Sequence, residues 1–149
     1  MSDNWLQFIP SKPEFQPSSD AAEAARSLLA EFVPEADGVK VEFKPSTEFF
    51  HPGGNWSGVK CPSCGADLEE WWGEAMSAAS TTAFVDLSVT TPCCGIATSL
   101  NDLNYVWPAA FGRFVLEAMN PNIEDLTPIQ EQQLAKRIGS SLRKVWVHI

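Results

Sequence analysis

Apolar and polar positions fall into two similar blocks, separated by a stretch with a different pattern. Trp5 to Ile9 is apolar around Gln7 and stops at Pro10, which predicts a short first strand. Ser11 to Ser19, with Pro13 and Pro17, predicts a loop. A helix capped by Ser19 or Asp20 follows, with Asp20 and Glu23 spaced as in a capping box. Ala25, Leu28, Leu29 and Phe32 recur on one face of it, and Pro34 marks its end. After Asp37-Gly38, Val39, Val41 and Phe43 alternate with Lys40, Glu42 and Lys44, the pattern of a strand with one face toward a core.

The C-terminal block repeats that plan. Arg113 to Met119 predicts a strand with Phe114, Leu116 and Ala118 on one face, ending at Asn120-Pro121. Thr127, Pro128 and Gln130 spell an N-cap, a proline at the first helical position and a capping-box partner. Leu134 and Ile138 point inward from that helix, which Gly139 closes as a left-handed C-cap. Leu142 to Ile149 predicts a last strand, with Val145, Val147 and Ile149 on one side and Lys144, Trp146 and His148 on the other.

Two strand–helix–strand units side by side predict an α+β chain. Their element order resembles the ferredoxin-like βαββαβ sandwich, which implies two helices on one face of a four-stranded antiparallel sheet. The resemblance covers roughly residues 3–45 and 112–149, and because many functions share that fold it says little about activity. The alternative is a larger mixed sheet that also takes in Phe84 to Val89. On the first reading, residues 1–149 form a single domain with a core of 1–45 and 112–149 and an insertion of about 46–111.

Within the insertion, Leu68, Trp72 and Met76 fall on one side of a short helix, with Trp71 pointing elsewhere. Phe84 to Thr90 alternates, and Ile96 to Leu100 follows, so a two-stranded ribbon with Cys93-Cys94 at its tip is expected. Asn101-Asp102-Leu103-Asn104 reads as a turn.

All four cysteines lie here: Cys61-Pro62-Ser63-Cys64-Gly65, then Cys93-Cys94-Gly95. The first piece resembles the CPxCG knuckle of zinc-ribbon proteins, a tight turn that aims two thiolates at one metal, with a glycine supplying left-handed backbone. The second departs from the pattern, because Thr91 stands where a repeated knuckle would have its first cysteine. Three readings stay open: a zinc site of Cys61, Cys64, Cys93 and Cys94; a Cys3His site in which His51 replaces Cys93 or Cys94; and knuckles that persist without metal. A thioredoxin-like use of Cys61 and Cys64 fits less well, since Gly65-Ala66-Asp67 follows where that site needs a helix after a buried strand. The zinc deaminase pattern is missing, because Gly53 rather than a glutamate lies two residues after His51.

Ten Lys and Arg against nineteen Asp and Glu leave a net charge of −9 over 149 residues, which disfavours an electrostatic grip on nucleic acid or an anionic membrane. No apolar run reaches the roughly 20 residues of a membrane span, and the start Met1-Ser2-Asp3-Asn4 lacks signal-peptide character, so a cytoplasmic protein is expected. With no export implied, a disulfide scaffold is disfavoured. No phosphate-binding glycine loop, nucleophile elbow or HExxH motif occurs, which leans against an enzyme.

Six tryptophans and nine phenylalanines are many for this length. Trp5, Phe8, Phe32, Phe43 and Phe114 are assigned to packing, while Trp56, Trp71, Trp107 and Trp146 are candidates for a surface patch. The chain resembles small bacterial proteins of this composition, and acidic proteins of similar size serve as immunity or antitoxin partners. With the cysteine reading, the expectation is a non-catalytic zinc protein that meets a protein partner, and the resemblance implies a basic toxin as that partner. A thiol-redox protein or other enzyme using Cys93-Cys94 is the competing expectation.

Overall fold

The computed structural model describes residues 2–149 and is a mixed α+β chain with three α-helices. In chain order the elements are β1 (Asn4–Pro10), α1 (Ser19–Phe32), β2 (Gly38–Phe50), β3 (Val59–Lys60), α2 (Glu69–Ser80), β4 (Ser88–Thr90), β5 (Ala97–Ser99), β6 (Asn104–Tyr105), β7 (Ala110–Met119), α3 (Pro128–Ile138) and β8 (Leu142–His148). One turn of 3-10 helix, Leu100–Asp102, precedes β6.

Four strands form one antiparallel sheet in the order β2-β7-β1-β8. Register places Phe8 opposite Leu116 and Leu6 opposite Ala118, so these side chains share a face. Against that face pack Ala22, Ala25 and Leu29 of α1 and Leu134 and Ile138 of α3, giving a core in which both helices cover one side. The other side carries a smaller apolar cluster of Ile9, Phe50, Ala110, Val115, Val145 and Val147. Ile149, expected on the face of Val145 and Val147, is exposed at the chain end.

The helix signals act mostly as their chemistry predicts. At α3, the Gln130 amide donates to Thr127 Oγ1 and the Thr127 amide to Gln130 Oε1, and Gly139 takes φ +88° while donating to the Ala135 carbonyl. At α1 the cap is Ser18, one residue before the expected position, with its Oγ accepting from the Ala21 amide. A box on Ser18 would need a glutamate or glutamine at position 21, which is alanine, so Glu23 pairs with Arg26 on the exposed side instead.

Two stretches depart from the expected pattern. Strand β2 continues past Lys44, because a bulge between Phe43 and Glu48 carries the chain across Pro45, which has no N–H to donate, before pairing resumes with Gly112, Phe111 and Ala110. Phe43, expected in the core, is 42% exposed on this edge strand and meets Phe114 edge-on at 5.0 Å. The ribbon strand expected from Phe84 begins only at Ser88, since Ala83 and Phe84 take φ of 54° and 59° and turn the Phe84 ring back toward Phe111. That ribbon pairs β4 with β5 alone, which removes the alternative of a larger mixed sheet.

Between Phe50 and Ala110 the chain builds a second core around Val59, Leu68, Leu87, Leu100, Leu103 and Tyr105. Asn101 rivets it to the sheet: its Oδ1 accepts from the Phe111 amide at 3.0 Å, its Nδ2 donates to the Ser11 carbonyl at 3.2 Å, and Arg143 donates to its carbonyl. A second tie joins Gly54 N–H to the His148 carbonyl at 2.6 Å. Gly53 beside it takes φ +64°, and a Cβ there would lie 2.4 Å from that carbonyl oxygen, so only glycine fits. No helix among the described residues is long and apolar enough to cross a membrane.

Candidate metal centre

Strand β3 delivers Cys61 into a tight turn. The Cys61 amide donates to the Ala66 carbonyl at 2.8 Å and the Gly65 amide to the Cys61 carbonyl at 3.0 Å, with Gly65 at φ +77°. Strand β4 delivers Thr91 into the same frame: Thr91 N–H to the Ile96 carbonyl at 3.0 Å, Gly95 N–H to the Thr91 carbonyl at 3.0 Å, and Gly95 at φ +71°. Position by position, Thr91 therefore occupies the place of Cys61, Cys94 that of Cys64, and Cys93 that of Ser63.

The two turns face one another, and the sulfurs of Cys61, Cys64, Cys93 and Cys94 all lie within 4.8 Å of one another. Cys61 Sγ is 3.7 Å from Cys94 Sγ, Cys64 Sγ 3.3 Å from Cys93 Sγ, and Cys93 Sγ 3.9 Å from Cys94 Sγ. A tetrahedron of sulfurs about 2.3 Å from a central zinc has edges of about 3.8 Å, so the four donors fit such an ion with small adjustments. A backbone bend at Pro92-Cys93 lets the adjacent cysteines Cys93 and Cys94 both reach the cluster. Cys61 is buried, whereas Cys64, Cys93 and Cys94 are exposed, which leaves the cluster open on the side away from Cys61.

The protonation balance points the same way. The Cys64 amide, helped by the Ser63 amide 3.4 Å from the sulfur, holds the Cys61 thiol down to about 6 against the opposing effect of desolvation. The Ala66 amide favours a Cys64 thiolate, but the Cys93 sulfur, desolvation and the sulfurs of Cys61 and Cys94 outweigh it and push that thiol up to about 11. Four thiolates this close repel one another, so a cation is what allows all of them to ionise.

His51 is not part of the cluster. Its Nδ1 accepts from the Gly53 amide at 2.9 Å, its ring stacks on Trp56 at 4.9 Å, and burial lowers its pKa. The structure thus does not assemble the Cys3His alternative. His148 instead meets Asn4 Oδ1 through Nδ1 at 2.8 Å.

Behind the sulfurs, Trp56, Trp72 and Tyr105 pack ring on ring, with Trp56 and Trp72 centroids 4.9 Å apart. Trp56 donates to Glu69 Oε1 at 2.9 Å, Trp72 donates to Tyr105 Oη at 3.2 Å, and that hydroxyl donates to the Leu100 carbonyl at 2.7 Å. Burial raises the Tyr105 pKa, so it stays a neutral donor. Helix α2 runs on to Ser80, beyond the expected Met76, and buries Leu68 at its start and Ala79 near its end. The four candidate patch tryptophans do not share one surface: Trp56 and Trp71 pack on the insertion core, Trp146 packs on the sheet core, and Trp107 is 41% exposed.

Sequence reasoning missed Asn101, which it placed in a turn without a task. A buried asparagine carries no periodic signal; only its neighbours Leu100 and Leu103, both buried, hint that the segment turns inward. No protein-family model, curated protein or solved structure matches the chain.

Proposed function

We propose that the protein is a non-catalytic zinc-binding protein that works through contact with a protein partner. The observation that carries this reading is the four-sulfur cluster at spacings suited to a tetrahedral zinc. Cys61, Cys64, Cys93 and Cys94 would hold the ion and leave no position for water, whereas catalytic zinc keeps one open. Bound there, zinc supplies a cross-link between two turns whose strands, of two and three residues, are too short to order them.

The sheet order β2-β7-β1-β8, with both helices on one face, supports reading the core as ferredoxin-like. The knuckle on Cys61 and Cys64 supports reading the insertion as ribbon-like. An immunity or antitoxin role against a basic protein follows the net charge of −9 and the exposed Trp107. X-ray absorption at the zinc edge tests the site. Four sulfurs at about 2.3 Å support a structural ion, and three sulfurs with a nitrogen or oxygen neighbour would contradict it.

A second reading, a thiol-redox protein using Cys93 and Cys94, draws on the exposure of both thiols and on the 3.3 Å approach of Cys93 to Cys64. It requires purified protein that holds no metal and whose native thiols react rapidly with a disulfide reagent.

A further inference from the structure

Where the insertion meets the sheet layer, an open groove of about 860 Å³ is lined by Trp107, Asn55, Trp146 and the 120–124 loop, with Asn55 Nδ2 donating to the Trp146 carbonyl at 3.1 Å. Three carboxylates, Glu35, Asp37 and Glu124, line it, and among the described residues no Lys, Arg or His does. None of the three has a cation within ion-pair distance among the described residues, whereas nearby Lys144 is held by Asp125 and Glu131 at 2.7 Å each. Asp37 accepts from Asn120 Nδ2 at 2.8 Å, which fixes its place on the wall, and its charge remains uncompensated. Trp107 offers an exposed indole and Trp146 a half-buried one.

Unpaired carboxylates beside indole faces select a planar cation. Guanidinium stacks on tryptophan and donates to two carboxylate oxygens at once, and it is more weakly hydrated than ammonium, so it enters such a groove at lower cost. The volume falls within the range of clefts that receive a small ligand. We propose that this groove receives an arginine-bearing basic segment of a protein partner, with guanidinium against Trp107 and Trp146 and between Glu35, Asp37 and Glu124. This rests on the reading of the chain as a protein-binding protein and names the surface and partner chemistry it uses. The sulfur cluster supports one wall: Trp107 follows Val106, whose amide donates to the Gly58 carbonyl at 3.1 Å, and Tyr105, which pairs with Val59 two residues before Cys61.

The test is a titration of the 15N-labelled, zinc-loaded full chain with the peptide acetyl-Gly-Arg-Gly-Arg-Gly-amide, followed at the indole and asparagine side-chain N–H signals. A glutamate-for-arginine peptide and spermidine serve as controls. Saturable shifts at Trp107, Trp146, Asn55 and Asn122 are expected, with affinity about tenfold or more above that for spermidine and no response to the acidic peptide. Trp107→Ala and the double variant Glu35→Gln/Glu124→Gln should each weaken the arginine peptide about tenfold or more, since each removes a central contact. The proposal is overturned by shifts spread evenly over the acidic surface, by equal binding to the variants, by spermidine binding as tightly, or by no binding. Zinc content is measured on the same sample. Metal present with an unresponsive groove removes this proposal and leaves the zinc reading, while a responsive groove in metal-free protein does the reverse.

Discussion

The first knuckle, Cys61 to Ala66, and the second, Thr91 to Ile96, are built on the same pair of backbone hydrogen bonds and the same left-handed glycine, yet they present different side chains to the centre between them. In the first, the leading residue is a buried cysteine whose sulfur accepts from the Ser63 amide at 3.4 Å. In the second, the leading residue is Thr91, 2% exposed, whose Oγ1 accepts from the Ile96 amide at 3.2 Å and sits 3.6 Å from Cys94 Sγ. The frame is therefore set by backbone geometry and glycine, not by the sulfur. With its first position occupied by a hydroxyl that closes the turn, the second knuckle supplies its missing ligand from Cys93. Only Cys61 of the cluster is buried; the first knuckle supplies its two sulfurs from positions three apart, and the second supplies them from adjacent residues.

The largest expected effect comes from removing what joins the two knuckles. Chelation or Cys64→Ser should unfold the insertion, since structural zinc contributes on the order of 10 kcal/mol to folding in small metal-dependent units. Amide exchange should then rise across 59–105 while the β1, β7 and β8 amides stay protected. Uniform loss of protection, or none, would contradict a locally stabilised insertion.

Phe114→Ala should reverse the pattern by destabilising the sheet core by about 3–5 kcal/mol. Metal content per folded chain should stay unchanged, as read by denaturant unfolding with parallel zinc analysis. Asn101→Ala, which strips buried hydrogen bonds from the joint between the two parts, should cost about 1–3 kcal/mol and separate their unfolding transitions.

The asymmetry of the knuckles can be probed directly. Cys93→Ser should weaken zinc retention against a competing chelator, and Thr91→Cys/Cys93→Ser, which returns a sulfur to the leading position, should restore much of it. A double variant no tighter than Cys93→Ser would show that the second frame does not aim its first side chain at the metal. Proton release gives a further readout. The Cys64 thiol, pushed up to about 11, carries its proton at neutral pH in metal-free protein and must lose it when zinc binds. Zinc uptake in weakly buffered solution near neutrality should therefore acidify it, more than in Cys64→Ser. The smallest effect is expected at α3, outside the insertion: Thr127→Ala, which removes the helix cap, should cost about 1 kcal/mol and leave metal retention alone.

Much of this arrangement is legible in the sequence where a local rule dominates. Thr127, Pro128, Gln130 and Gly139 fix both ends of α3, and the alternation of Phe114, Leu116 and Ala118 places the helix-facing side of β7. Legibility fails where tertiary context wins. The alternation that marks β2 in the sequence runs only from Val39 to Lys44, but a bulge on the sheet edge carries the strand on to Phe50. Phe84 alternates like a strand residue, but its left-handed backbone folds it onto Phe111. The four cysteines are readable as one group from spacing alone, whereas the matching of Thr91 to Cys61 appears only when the hydrogen bonds of both turns are compared. The groove beside Trp107 and Trp146 joins residues from both ends of the chain and the insertion, so no window of sequence contains it.

The most direct measurement is native mass spectrometry of the untagged protein, combined with a free-thiol count before and after denaturation. One zinc per chain, with four thiols appearing only on denaturation, is the expected result. Metal-free protein whose thiols react in the native state would contradict the structural zinc and favour redox use of Cys93 and Cys94.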